Sequence, residues 1–202
     1  MSSGINLDKA REALKRTSVE HGKVTVVGTL NRVKNFETVI RAVKRIDGSR
    51  RVNLNVLGDG PMRSELEALA AGDARIRFHG RLPKDGVYSH LASSQVFVMP
   101  SIRTPGAGEG VPTALLEAMA LSNDCLVSTQ SLPAPVVDDG TAYTPFHPTD
   151  DRALTELIVA SLDDWQGSRF RARRAERSVR HLDWPIVAQR VRDVYSKAIG
   201  RE

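Results

Sequence analysis

QVFVMPSIRTPGAGEGVPTALLEAMALSNDCLVST, residues 95–129, is the stretch that decides the fold. It opens on an apolar, β-prone run, VFVM, and passes into a glycine-rich loop holding Gly106, Gly108 and Gly110. Pro112 then opens a predicted helix over 112–121, and a second short apolar run, CLVST, follows. Proline is tolerated at a helix start because its missing N–H would be unpaired there in any case. Two short apolar runs joined by a helix describe parallel strands with a crossover.

The same unit recurs in both directions. Upstream, VTVV (24–27) ends at Gly28, and Phe36, Val39, Ile40 and Val43 follow at helical spacing. VNLNVL (52–57) ends at GDGP (58–61), where Pro61 is placed near the first turn of the helix SELEALAA. IRFHG reads as a third strand and VYSHLASS as its helix. Downstream, TAYTPF gives a short last strand, and three helical stretches close the chain: RALTELIVASL, the Arg-rich RFRARRAERSVR, and WPIVAQRVRDVYSKAI. Right-handed crossovers turn this alternation into an α/β, Rossmann-like, doubly wound parallel sheet of about six strands in a single domain. In such sheets ligands bind beyond the carboxyl ends of the strands, so the informative residues are those just after each apolar run.

Composition sets outer limits. With 202 residues and 41% apolar residues the chain can bury a core, which excludes a disordered class. Its one cysteine, Cys125, forbids an internal disulfide and reads as a small core residue, which suits a reducing cytoplasm. The first residues lack the apolar centre of a signal peptide. The net charge of +5 favours anionic partners. Much of it sits in RFRARRAERSVR, which reads as the solvated face of a helix, with a peripheral contact to an anionic membrane inner face as the sharper alternative. Nucleic acid is not expected, because Phe170 alone could stack a base there.

Three loops carry candidate chemistry. After Gly28 and Thr29, the cations Arg32 and Lys34 could neutralise a phosphate, or be ordinary surface cations. Gly58 and Gly60 permit close backbone approach, although the dinucleotide spacing G-x-G-x-x-G is absent. At the helix opened by Pro112, the N–H groups of Thr113 and Ala114 suit a diphosphate. Glu109 and Glu117 frame that helix start, and a carboxylate can accept from paired sugar hydroxyls. Leu115, Leu116, Ala118 and Met119 around Glu117 predict a partly buried acid, which needs a partner. No metal-ligand spacing links His21, His79, His90, His147 and His181; each reads as structural or surface, His79 and His90 being nearest the cleft.

The spacing of Glu109 and Glu117 within EGVPTALLEAMA resembles the C-terminal domain of retaining GT-B glycosyltransferases of the glycogen-synthase-like family. GTLNRVKNFETVIRAV, NVLGDGPMRSELEALA and IRFHGRLPKDGVYSHLASSQVFVMPS are similar to that family's earlier segments in the same order, and DWPIVAQRVRDVYSKAI to its closing helix. The resemblance implies residues 1–20 as a lead-in, and 21–202 as a donor-binding domain closed by a helix over 182–202. It implies a nucleoside diphosphate sugar as donor and no required metal or cofactor. Glu109, Lys34 and Arg32 would act on the reacting groups, Lys34 on the diphosphate and Glu109 on sugar hydroxyls beside the Gly110 and Val111 backbone. Glu117 would hold the ribose, Gly80, Arg81 and Leu82 the base, and the Gly58–Gly60 turn would line the pocket.

The resemblance also implies an acceptor-binding N-terminal domain elsewhere, in a longer chain or as a separate subunit. It departs at Thr29, where the family has arginine, and at LSND (121–124), where it has a small-Gly-x-Pro turn. A Gly-Gly pair is replaced by Ser131 and Leu132, and a frequent acid by Pro135. These departures leave a second expectation open, a sugar-nucleotide-binding module that kept the fold and lost turnover.

Overall fold

Six parallel strands lie in the order β3-β2-β1-β4-β5-β6. The computed structural model describes residues 4–105, 112–133, 137 and 140–200. Helix α1 (Leu7–Arg16) precedes β1 (Lys23–Val27), α2 (Phe36–Arg45), β2 (Asn53–Leu57), α3 (Arg63–Ala70), β3 (Ile76–Gly80) and α4 (Lys84–Ser93). Then come β4 (Val96–Met99), α5 (Thr113–Ala120), β5 (Asp124–Ser128), β6 (Thr144–Phe146), α6 (Asp151–Asp163), α7 (Trp165–Ser178) and α8 (Trp184–Ala198). The order reverses between β1 and β4, where Val24 pairs with Val96, while on its other side β1 runs in register with β2, Val26 opposite Val56. That reversal opens a crevice at the carboxyl edge.

The apolar runs look continuous in sequence because both faces of the sheet are covered. Their side chains nonetheless alternate. Val24, Val26, Leu54, Val56, Val96, Val98 and Leu126 face a core shared with α2, α3 and α6. Phe97, Met99, Cys125 and Val127 face the opposite way, into a core shared with α1, α4, α5 and α7. Burial pushes the Cys125 thiol well above its usual range, so it behaves as a small apolar residue.

Four backbone bonds join the loops at the carboxyl edge. Gly28 N–H donates to Leu57 O (3.0 Å), Leu30 N–H to Asp59 O (3.1 Å), Met62 N–H to Leu30 O (2.9 Å) and Gly58 N–H to Gly80 O (2.8 Å). Gly58 has φ +134, and a Cβ there would overlap the Gly28 carbonyl oxygen, so both its conformation and its neighbour demand glycine. Asn35 sits in the left-handed region (φ 50), which asparagine tolerates well. Its amide donates to Pro100 O (3.1 Å) and Pro148 O (2.8 Å), tying the loop after β1 to the end of β4.

Several local readings shift. Pro61 lies in the turn ahead of α3, which begins at Arg63. Pro112 caps α5 from outside, the first helical residue being Thr113. Residues 4–16 are more than a lead-in: Asn6 caps α1 by accepting from Lys9 N–H (2.9 Å), and Ile5, Leu7 and Ala10 are buried in the second core. Ile5 also bonds across to the far end of the sequence, donating to Leu182 O and accepting from Trp184 N–H, each at 2.9 Å.

Candidate functional site

The carboxyl edge holds two cavities, one on each side of the start of α4. The first, about 250 Å³, is lined by Gly28, Thr29, Gly58, Asp59, Arg81 and Leu82, with Val27, Leu57 and Val87 beneath. It therefore gathers the predicted residues from the ends of β1, β2 and β3. Main chain is exposed at its rim where Gly28 follows β1 and Gly58 follows β2. Lys34 reaches this rim from a 3-10 turn (Arg32–Lys34) whose entry is capped by the Asn31 side chain, which accepts from Lys34 N–H (3.1 Å). The Lys34 stem lies over Gly28, within van der Waals distance of where a Cβ would stand, whereas Arg32 points to solvent. Gly60 packs on the Leu30 backbone and does not line the cavity.

The second cavity, about 430 Å³, lies between α4, α5 and the segments around Ile5 and Trp184. Thr113, Glu117, Lys84, Tyr88 and Trp184 line it. Glu117 is 6% exposed, buried at the start of the second turn of α5, and its Oε1 accepts from the Lys84 ammonium. That contact answers the expected need of a buried acid for a partner. The Tyr88 phenol is pushed up above its usual range, first by burial and then by the charges of Glu117 and Asp85. Along α5 the first backbone bonds are donated by Leu115 and Leu116 to Pro112 O, at 2.9 and 3.1 Å. The N–H groups of Thr113 and Ala114 have no partner among the described residues, leaving the positive end of the helix available to an anion. Ala114 itself packs against the second core.

The predicted set is thus divided between adjoining cavities. Glu109, Gly110 and Val111, with Gly106 and Gly108, lie outside the described residues, as does Pro135. Ser131 is buried and donates to Ser101 O (2.9 Å), while Leu132 is exposed. Ser122, which stands where the family pattern has glycine, takes φ 55. Sequence reasoning missed Lys84, Tyr88 and Trp184. Lys84 is 33 positions from Glu117, and Trp184 lies against Gly4, where a Cβ would collide with the indole. Neither separation leaves a local signal.

Two other features were singled out in the sequence. His79 and His90 face each other between β3 and α4, ring centroids 4.4 Å apart, with His79 Nε2 2.8 Å from Asn55 Oδ1. Both imidazoles are held below the ordinary 6.5, chiefly by burial, with Lys23 adding to the effect. Among the described residues no group of three His, Cys, Asp or Glu side chains could hold a metal. The Arg-rich helix α7 spends much of its charge inside the fold. Arg171 donates to the fully buried Asp124 through Nε and Nη2 (2.7 Å to Oδ2), and Arg169 donates to Ser122 O (3.0 Å). Arg173 and Arg177 remain exposed, and the exposed Phe170 ring lies under the Arg174 guanidinium, 6.0 Å from its centroid. No helix among the described residues is long and apolar enough to cross a membrane.

Residues 21–164 match a family described as Glycosyl transferases group 1. The sulfoquinovosyl transferase SQD2 of Arabidopsis thaliana is 26% identical over 177 residues, 86% of this chain and 33% of that protein. Sucrose-phosphate synthase from Thermosynechococcus elongatus superposes with a TM-score of 0.80 at 22% identity, over 99% of this chain and 52% of that one. HepE from Anabaena, solved in complex with UDP-glucose, gives 0.79 at 16% identity, over 96% and 56%. The chain therefore spans between a third and somewhat over half the length of these relatives. The structural likenesses carry the fold, a Rossmann-like domain of GT-B glycosyltransferases.

Proposed function

The chain belongs to the group 1 glycosyl transferases, and we propose that it is the part of such an enzyme that binds a nucleoside diphosphate sugar. The observation that carries this reading is the placement of a cation, two glycine loops, a helix N-terminus and a buried carboxylate along one sheet edge, at the switch point. In this reading the base sits against Arg81 and Leu82, and the first cavity's Gly28–Thr29 and Gly58 backbone takes the adjoining groups. Glu117 accepts from the ribose hydroxyls. Lys34 and the N–H groups of Thr113 and Ala114 meet the diphosphate, where negative charge grows as the sugar leaves. Glu109, with Gly110 and Val111, holds the sugar, which is transferred with retention of configuration and without a metal.

The acceptor side belongs to a second, N-terminal-type domain. The share of the relatives' length that this chain leaves uncovered supports that, as does α8. On α8 Val187 is buried, whereas Val191, Val194, Tyr195 and Ile199 stand exposed at helical spacing. Such a stripe fits a covering partner. The domain alone is then expected to bind donor and transfer nothing. The second reading, a module without turnover, is favoured by one observation, the burial of Ser131 in a structural bond where the family pattern has a glycine pair.

Titration with uridine, adenosine and guanosine diphosphates, read by thermal shift, tests the donor reading. A diphosphate at 100 times its dissociation constant stabilises by about 2.7 kcal/mol. Glu117→Ala is expected to weaken binding by roughly 1.5–3 kcal/mol, the usual worth of hydrogen bonds to a charged group. If no diphosphate raises the melting temperature, the donor reading is wrong. Sugar transfer by this domain alone would refute the division of labour.

A further inference from the structure

The Lys84 ammonium touches Oε1 of Glu117 and lies 5.2 Å above the ring of Tyr88. The two partners differ in setting: the Lys84 side chain is 53% exposed and that of Glu117 only 8%. Lys84 is the first residue of α4, two positions after Leu82, which lines the first cavity, and Glu117 lines the second. One side chain therefore links the base-side loop to the buried carboxylate. Among the described residues no other group donates to Glu117, and its Oε2 has no partner.

A carboxylate sunk against Leu116 and Ala118 is costly to keep charged unless a cation sits beside it. A free carboxylate can also turn about its terminal bond, so it reaches a diol in one geometry only at an entropic cost. Fixing one oxygen removes that freedom and leaves the other as a directed acceptor. A carboxylate has about four acceptor positions, so a single lysine does not exhaust it. We propose that Lys84 is a positioning residue for Glu117: it anchors Oε1 and presents Oε2 to the ribose hydroxyls, and so sets the preference for ribose over hydroxyl-poor sugars. This deepens the donor reading above and rests on it.

The experiment compares the ribo- and 2′,3′-dideoxyribo-forms of uridine, adenosine and guanosine 5′-diphosphate on wild type, Lys84→Met, Lys84→Arg and Glu117→Ala. Lys84 is exposed enough that its variants should fold, and unchanged circular dichroism checks this. Wild type should favour the ribo-form of at least one base. Lys84→Met should lower affinity for that form roughly tenfold, the size of one charge-assisted hydrogen bond, and leave the dideoxy-form within about twofold. Lys84→Arg should restore most of the loss. An equal loss on both forms, or none on either, overturns the positioning role while the preference lost in Glu117→Ala keeps the donor reading intact. If wild type binds both forms equally, Glu117 does not hold the ribose and the positioning role of Lys84 falls with it, whereas the donor reading falls only if neither form binds.

Discussion

The two faces of the sheet are built on different terms. The face covered by α2, α3 and α6 is closed by aliphatic side chains, with Val24, Val39, Ile40, Leu54 and Val96 fully buried. The face covered by α1, α4, α5 and α7 buries Glu117 and half-buries the His79–His90 pair, while the buried Asp124 lies opposite Val96 at the start of β5 and is reached by Arg171 of α7. Burying a charge costs free energy that an aliphatic does not, so each polar group there must be matched by a partner. Glu117 has Lys84, Asp124 has Arg171 and His79 has Asn55, whereas the buried Nδ1 of His90 has no partner among the described residues. One face is scaffold, and the other carries the groups that could meet a ligand. The lesson is that the candidate site follows the polar layer more closely than it follows the loops alone.

The contrast breaks most sharply at Asp124. Arg171→Leu strands the fully buried Asp124 carboxylate, to which Arg171 donates through Nε and Nη2, and should cost about 3–5 kcal/mol by urea unfolding. Replacing both residues with leucine should recover much of that loss; no recovery would mean the polar layer is held by more than paired charge. On the aliphatic face, Ile40→Ala should cost about 2–5 kcal/mol through a cavity while leaving nucleoside diphosphate affinity unchanged. A change in affinity there would end the description of that face as inert scaffold.

Acid sharpens the comparison. Both imidazoles are lowered in the fold from 6.5, so between 6.5 and their folded values the unfolded chain binds more protons. Stability is complete above that window and declines as pH falls through it. Melting temperatures from pH 7.5 to 5.5 should fall more steeply in wild type than in His79→Gln/His90→Leu, and parallel slopes would remove the pair from the account. The smallest effect is a gain. Ser122→Gly relieves a left-handed residue and should add roughly 0.5–1 kcal/mol, and a loss would mean the serine is favoured in place.

Much of the fold was legible because a parallel sheet writes itself as short apolar runs. VTVV, VNLNVL, VFVM and CLVST all became strands, and Phe36, Val39, Ile40 and Val43 became the inward face of α2. Helix α1 was not, because its strongly polar surface hides the two buried contacts made by Leu7 and Ala10. At the site, Glu117 was legible from its apolar neighbours, as a buried acid in want of a partner. Lys84 was not, because a pair between two helices depends on how α4 and α5 pack, which no spacing encodes. Trp184 was hidden for the same reason, since its contact with Gly4 joins opposite ends of the sequence.

The glycine junction at the ends of β1 and β2 has a consequence for how binding is reached. Gly58 sits against Gly28, Gly60 against Leu30, and four backbone bonds hold the surrounding loops in place before any ligand arrives. The ordering entropy of that half of the crevice is thus charged to folding, and a ligand meeting it has little left to organise. Amide exchange at Gly28, Leu30 and Gly58 should already be slow in the empty domain and change little on saturation. What selectivity that half offers comes from a shape cast in advance, and any slow, ligand-driven adjustment has to be sought elsewhere in the crevice.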